Sequence, residues 1–329
     1  MLEIVHTPVL LKECLTLLCP EEGYTDEAWM IDSTLGEGGH SEAFLNAFPS
    51  LNVIGIDADS VIQETAKRRL SHFGDRMHFY NGWFTDFYES YPVEFPKPNL
   101  ILFDLGISVF HYEKSGRGFS FRYDEALDMR LNPEKQTVSA ADIVNGYGEE
   151  ELSNVLFLYG EEKLSRRFAR AIVEVRRGGK IESSKTLADI IFRASPSAYR
   201  YGAIHPATRT FQALRIAVNS ELRIIPPALH NAFNCLEIGG KLGVITFHSL
   251  EDRIVKTYFR NLGKKCVCPP EFACCKCGGV QCADVLTKKP VCASDAEVKE
   301  NAPSRSAKLR VVRKLSNATE YHLNGVEGF

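Results

Sequence analysis

WMIDSTLGEGGHSEAFLNAFPSLNVIGIDAD, residues 29–59, reads as strand, glycine-rich turn, helix and strand, and it closes on an acid. Met30 and Ile31 lead into Asp32, and Gly36, Gly38 and Gly39 then let the backbone turn tightly and approach a ligand that a Cβ would block. A helix starting near His40 points its amides at the same place. The second strand, 52–56, delivers Asp57 at its carboxyl end, where a carboxylate can accept the hydrogen bonds of both ribose hydroxyls of a nucleoside. The stretch therefore predicts a nucleoside-cofactor site on a parallel α/β sheet.

A dinucleotide fingerprint, GxGxxG, would need a third glycine at position 41, where the chain has Ser41. Asp32 at the end of the first strand, followed by Thr34, Gly36 and Gly38 at alternate positions, instead resembles the first motif of class I S-adenosylmethionine-dependent methyltransferases. GID at 55–57 supports the same site.

Strand and helix keep alternating outward from this stretch. A helix pattern covers 60–70, and a strand at 77–80 leads to Asn81, Gly82, Trp83 and Phe84. PNLILFD at 98–104 is a buried-strand pattern that places Asp104 beside the carboxyl ends of its neighbours, the edge where open α/β sheets bind ligands. From about Glu113 to Ala203 the strand rhythm stops, and helical patterns occupy 140–145, 149–159, 162–177 and 184–194. A long helix follows over 204–222, with an apolar stripe of Phe211, Leu214 and Val218. GGKLGVITFHS at 239–249 returns to the sheet, and SAKLRVVRKL at 306–315 alternates as a last strand. The expected fold is α/β, a Rossmann-like, mostly parallel sheet with an inserted all-helical domain. Its parts are a first methyltransferase segment, 1–112, a helical substrate-recognition domain, 113–204, a second methyltransferase segment, 205–315, and a frayed tail, 316–329.

The 329 residues suffice for a large core, and the net charge of −3 means that any nucleic-acid binding must use local basic surfaces. Lys163, Arg166, Arg167, Arg170, Arg176, Arg177 and Lys180 crowd one helix and its end, and a second basic group surrounds Arg310. The amino-terminal segment carries Glu3 and no basic leader, and no apolar run approaches membrane-spanning length, so the expected location is the cytoplasm, with no membrane partner. Cys14, Cys19 and Cys235 are scattered and expected to be reduced. The other seven of the ten cysteines fall in 266–292, where CVC and CCKC offer either four thiolates to zinc or plain loop thiols. Paired CxxC knuckles are absent and CxC spacing strains chelation by near neighbours, so no metal ligand is assigned.

HTPVLL at 6–11, DSTLGEGGHS at 32–41, DLGIS at 104–108, GRGFSFR at 116–122, LDMR at 127–130, HPATRTFQALRIAVNSEL at 205–222 and FHSLEDRIVK at 247–256 occur in one order. With SRSAKLRV at 304–311, this set resembles the MraW family of ribosomal RNA small-subunit methyltransferases over nearly the whole chain. The resemblance implies N4-methylation of a cytidine in the decoding region, with S-adenosylmethionine as cofactor. Small-subunit rRNA, or the assembling subunit, is the implied partner, and a homodimer stays open. Cofactor contacts are implied from Gly38, Gly39, His40, Asp57, Phe84 and Asp104, joined by Gly36 from the turn itself. A further contact is implied at His111, where the family usually carries glutamine.

Methyl transfer from a sulfonium leaves the protein mainly to orient donor and acceptor, while an oxygen near the cytosine amine takes its proton. Asp104 is the candidate catalytic residue, with Ser108 as an alternative acceptor, and the competing role for Asp104 is to hold the cofactor alone. The base must turn out of its stack. Phe119 and Phe121 are candidate stacking platforms, and Arg117, Arg122 and Arg130 candidate phosphate contacts. His205, Arg209, Gln212, His248, Glu251, Asp252 and Arg253 form polar clusters that also read as helix-capping chemistry. Two other classes compete: a nicotinamide-dependent oxidoreductase, disfavoured by Ser41, and a non-catalytic RNA-binding assembly factor.

Overall fold

The computed structural model describes residues 7–20 and 28–326. The first six residues, with His6 of the HTPVLL motif, lie outside the described part, as do 21–27 and 327–329. The chain divides into two compact units, one of residues 1–106 and 223–328, the other essentially 107–222.

The first unit carries the sheet. Helix α1 (Leu11–Leu17) precedes β1 (Ala28–Asp32), α2 (Gly39–Ala47), β2 (Leu51–Asp57), α3 (Ser60–Leu70), β3 (Met77–Asn81), α4 (Phe84–Glu89) and β4 (Leu100–Asp104). Strands β1, β2 and β4 are apolar on both faces, and Met30, Ile31, Val53, Ile54, Ile101 and Leu102 are wholly buried. Such near-continuous apolar runs suit parallel strands covered on both faces. Helix α3 starts where the Asp59 side chain accepts from the Val61 amide at 2.9 Å, and it lays Ile62, Ala66 and Leu70 onto the sheet.

The second unit is all helical: α5 (Val109–Glu113), α6 (Ala140–Gly146), α7 (Glu149–Gly160), α8 (Ser165–Arg176), α9 (Ser184–Ala194), α10 (Ser197–Arg200) and α11 (Ala207–Asn219). Leu152, Leu156, Phe168, Ile172, Leu187, Ile191 and Leu214 fill its core. Each such side chain contributes about 1.5–3 kcal/mol by leaving water.

The chain then enters α12 (Glu221–Cys235) and completes the sheet with β5 (Lys241–Thr246), α13 (Ser249–Leu262), β6 (Ala283–Val285), β7 (Val291–Cys292), α14 (Asp295–Glu300) and β8 (Lys308–Lys314). The strand order is β3-β2-β1-β4-β5-β8-β6, with β7 also on β8. Strands β1 to β5 run parallel, and β8 is antiparallel to β5, pairing Lys241 with Arg313 through Thr246 with Lys308. The order reverses between β1 and β4, and ligands of open α/β sheets bind outside the carboxyl ends at such a switch point. The fold is the expected one, a mostly parallel sheet interrupted by helices.

Three boundaries differ from the sequence reading. The helical unit begins at Ile107 and not at 113, so the short helix α5 belongs to it. It also runs to Leu222, because the apolar stripe of α11 serves the helical core and not the sheet. Gly160 lets α7 and α11 approach closely: a Cβ there would lie 2.6 Å from the Arg209 carbonyl oxygen. The tail is docked as far as it is described, with His322 wholly buried. Asn234 exchanges hydrogen bonds with the Ala318 backbone at 2.8 and 3.1 Å, and the Asn261 amide donates to the carbonyls of His322 and Asn324. Polar side chains of α12 and α13 hold this segment, a signal that hydrophobic periodicity does not carry.

Candidate functional site

In the sheet unit, Asp32, Asp57 and Asp104 end three adjacent parallel strands and so stand along one edge at the switch point. The turn after β1 is tied to all three. Gly36, at φ +54°, donates its amide to Asp57 Oδ2 at 2.8 Å, and the Asp59 amide donates to Oδ1 at 2.8 Å. These two amides fix the orientation of the Asp57 carboxylate at the strand end. Asp104 donates its backbone N–H to Thr34 Oγ1 at 2.7 Å, which fixes the end of β4 against the turn.

Asp32 is fully buried and works inside the turn, its Oδ2 accepting from Ser41 Oγ at 2.7 Å. Burial pushes its carboxyl up, against the opposing pull of His40 and the Ser41 hydroxyl. Ser41 thus occupies the place of a dinucleotide fingerprint's third glycine and uses its hydroxyl as a strut. Gly38 combines a left-handed φ of +81° with close packing, a Cβ there lying 2.7 Å from Leu70 Cδ1, and Gly39 serves packing alone, a Cβ there lying 2.5 Å from Pro8 Cγ. Of the three glycines, only Gly36 has no atom closer than 4.0 Å to its ideal Cβ, so it is the one that opens toward free space.

The first turn of α2 brings His40, 6% exposed, to Asp104, with Nε2 3.5 Å from Oδ2. Both imidazole nitrogens and Asp104 Oδ1 are buried without a hydrogen-bond partner among the described residues. Native interiors rarely leave such groups unmet, because each costs about 1–3 kcal/mol. Three of them at the carboxyl edge of a switch point fit a polar ligand that supplies the missing partners. Phe84, half-buried at the start of α4, sets its ring edge-on to Phe103 at 5.4 Å and forms an apolar side of the same edge.

Gly36, Gly38, Gly39, His40, Asp57, Phe84 and Asp104 are therefore gathered in one unit. His111 is built into the helical unit, in α5, where it is buried and packs its ring against Phe110 and Phe119 at 5.5 and 5.3 Å. Ser108 caps that short helix by accepting from the Phe110 amide at 3.2 Å. Ser33, which the sequence reading passed over, bonds Tyr88 Oη at 2.7 Å and braces the turn from α4.

Several RNA candidates prove structural. Phe119 is 4% exposed in the helical core, so it is not a free stacking surface. Arg117 donates to the carbonyls of Arg130 and Leu131 at 2.9 Å, and Arg130 grips Asp128 at 2.7 and 2.8 Å. Burial opposes ionisation of Asp128, but hydrogen bonds from Arg130 outweigh it and hold its carboxyl below the usual range. Phe121 stacks on His205 at 4.6 Å with Phe192 on the other side, and Arg122 is exposed. His205 Nδ1 also accepts from the Ala207 amide at the start of α11, while Arg209 and Gln212 donate to the carbonyls of Glu161 and Tyr159. His248 and Glu251 form the capping box of α13. On α8 the side chains of Arg166, Arg167 and Arg170 line one hollow, with Arg167 donating to the Ala194 carbonyl and Arg170 paired with Glu149 at 3.3 Å.

No helix among the described residues is long and apolar enough to cross a membrane. The MraW methylase family matches residues 3–315 of the chain. A ribosomal RNA small subunit methyltransferase H from Treponema denticola is 59% identical over 311 residues, covering 94% of this chain and 98% of its own. Proteins of the same name from Treponema pallidum and Clostridium botulinum are 41% and 42% identical, each covering at least 93% of both chains.

Proposed function

The chain belongs to the MraW methylase family, and from that membership and the strand-end site we propose that it methylates the N4 amine of a cytidine in the decoding region of small-subunit rRNA, using S-adenosylmethionine. The observation that carries the reading is the set of unmet polar atoms of His40 and Asp104 on the same strand-end edge that carries Asp57.

S-adenosylmethionine supplies a methyl group already activated on a sulfonium. Asp57, fixed at the end of β2 by the amides of Gly36 and Asp59, would hold the ribose hydroxyls. His40 and Asp104 would hold the charged methionyl end, and Phe84 the adenine flank. The amine sheds a proton on methylation, and Asp104 Oδ1 is the acceptor offered at this edge. Fixing these groups beforehand turns an encounter into an aligned displacement, and alignment is the main catalytic contribution left to the protein.

The helical unit is the part assigned to RNA. Arg166, with the guanidinium donors that Arg167 and Arg170 do not give to the Ala194 carbonyl and Glu149, would meet backbone phosphates, and the Phe121 ring stacked on His205 would meet an unstacked base. Acting on ribosomal RNA, the enzyme would work in the cytoplasm.

Purified protein incubated with methyl-labelled cofactor and small subunits lacking the modification should yield N4-methylcytidine on nucleoside analysis. Cofactor binding without any transfer to those particles would sink the assignment of substrate.

A further inference from the structure

Residues 263–282, between α13 and β6, contain neither helix nor strand. Loops of that length without structure of their own are uncommon in compact domains, and this one has little burial to hold it: Cys277 and Cys282 are its only buried residues. Something else must fix it.

The two CxC pairs meet there. Cys266 Sγ lies 3.7 Å from both Cys275 Sγ and Cys277 Sγ, Cys275 Sγ is 3.5 Å from Cys277 Sγ, and Cys268 Sγ is 4.0 Å from Cys275 Sγ. All four sulfurs lie within 4.8 Å of one another. Zinc–sulfur bonds of about 2.3 Å at tetrahedral angles place sulfurs about 3.8 Å apart. A disulfide would need about 2.0 Å. The observed edges match the tetrahedron and exclude the bond. CxC spacing, which the sequence reading took as too strained, is accommodated because each pair supplies one edge and the fold supplies the others.

Backbone amides already face the sulfurs. Lys276 and Cys277 point their N–H groups at Cys268 Sγ at 3.1 and 3.2 Å, and Val267 points its own at Cys277 Sγ at 3.4 Å. Such donors stabilise thiolates, and Lys264, Lys265 and Lys276 flank the ligands in sequence with compensating charge. The remaining cysteines of the segment do not join: Cys274 is exposed outside the group, Cys282 bonds the Asn317 carbonyl, and Cys292 lies in β7.

We propose that Cys266, Cys268, Cys275 and Cys277 form a structural zinc site that closes this loop. Binding releases the four thiol protons to solvent, involves no oxidation, and leaves no open coordination position, so the ion has no part in the chemistry of methyl transfer. Its effect is local. Phe272 packs edge-on to Tyr321 at 6.0 Å, and Asn324 donates to the Val267 carbonyl at 3.2 Å, so the loop in turn holds the carboxyl-terminal segment.

Metal analysis of the full chain, purified under reducing conditions without a metal-affinity tag, should find about one zinc per chain. Cys266→Ser and Cys277→Ser should each lose it, while Cys274→Ser should retain it. Should a ligand variant fail to fold, cobalt added to the metal-stripped native chain should still give the thiolate-to-cobalt charge-transfer absorption of a four-sulfur site. Amide exchange across 263–282 should quicken on chelation, with the parallel strands unaffected. Iron in place of zinc, disulfides in the reduced preparation, or no zinc together with no cobalt absorption would each overturn the proposal.

Discussion

His40 Nε2 stands 3.5 Å from Asp104 Oδ2, yet neither imidazole nitrogen nor Asp104 Oδ1, all three buried atoms, has a hydrogen-bond partner among the described residues. A pair of this kind costs stability in the free protein and repays it only when a ligand completes its bonds. His40→Leu, close in volume and without unmet nitrogens, should raise the melting temperature of the free protein. It should also weaken S-adenosylmethionine binding by roughly tenfold, the equivalent of one ordinary hydrogen bond. Calorimetry on both forms checks this, and unchanged affinity would remove His40 from the site.

Asp104 has two assigned tasks, and Asp104→Asn separates them. The amide keeps an acceptor oxygen for the cofactor but is a poor proton acceptor. With cofactor saturating, methyl transfer should fall by about 100-fold, the lower end of general-base contributions, while cofactor affinity changes only a few-fold. If saturation restores transfer instead, the residue only holds the cofactor and the proton leaves by another route.

Asp57 accepts the amides of Gly36 and Asp59, so its carboxylate shapes the turn as well as serving as the proposed ribose contact. Asp57→Ala should raise the cofactor dissociation constant by about 10- to 100-fold, the loss of one or two hydrogen bonds to a charged group. It should also speed amide exchange at Gly36. Asp57→Asn, which keeps one acceptor, should fall between. Equal affinities in all three proteins would displace the ribose from this carboxylate.

The strand-end acids were legible in the sequence because parallel strands put every carboxyl end on one edge, and β1, β2 and β4 each finish on aspartate. The reasons for the glycines were only half legible. Positive φ at Gly36 and Gly38 follows from a tight turn, whereas the close approach of Leu70 to Gly38 and of Pro8 to Gly39 is one that no local pattern brings near. Phe119 shows the same limit: an aromatic in a polar motif reads as a stacking platform until tertiary packing buries it. The thiol cluster went unassigned since spacing rules address chelation within a CxC pair, while the site joins two pairs across six residues of irregular chain. In each case the missing information is a contact between segments distant in sequence.

The Asp252 carboxylate on α13 receives Arg310 Nε from β8 at 2.8 Å and Lys308 Nζ at 3.4 Å, pinning that helix to the antiparallel strand. Burial opposes its ionisation, but the two cations outweigh burial and hold the carboxyl below its ordinary value of 3.8. A carboxyl depressed in the folded state binds its proton more readily when unfolded. Its stabilisation is therefore complete above pH 3.8 and is lost as pH falls through the lower folded value. Asp252→Asn should cost on the order of 1–3 kcal/mol at neutral pH, since Arg310 is only 7% exposed and is left without its counter-charge. Urea unfolding of both proteins across the acid range should show that gap closing below the unfolded value, where the native carboxyl also becomes neutral. A gap that stays constant through the acid range would mean that Asp252 acts by shape and hydrogen bonding alone, without its charge.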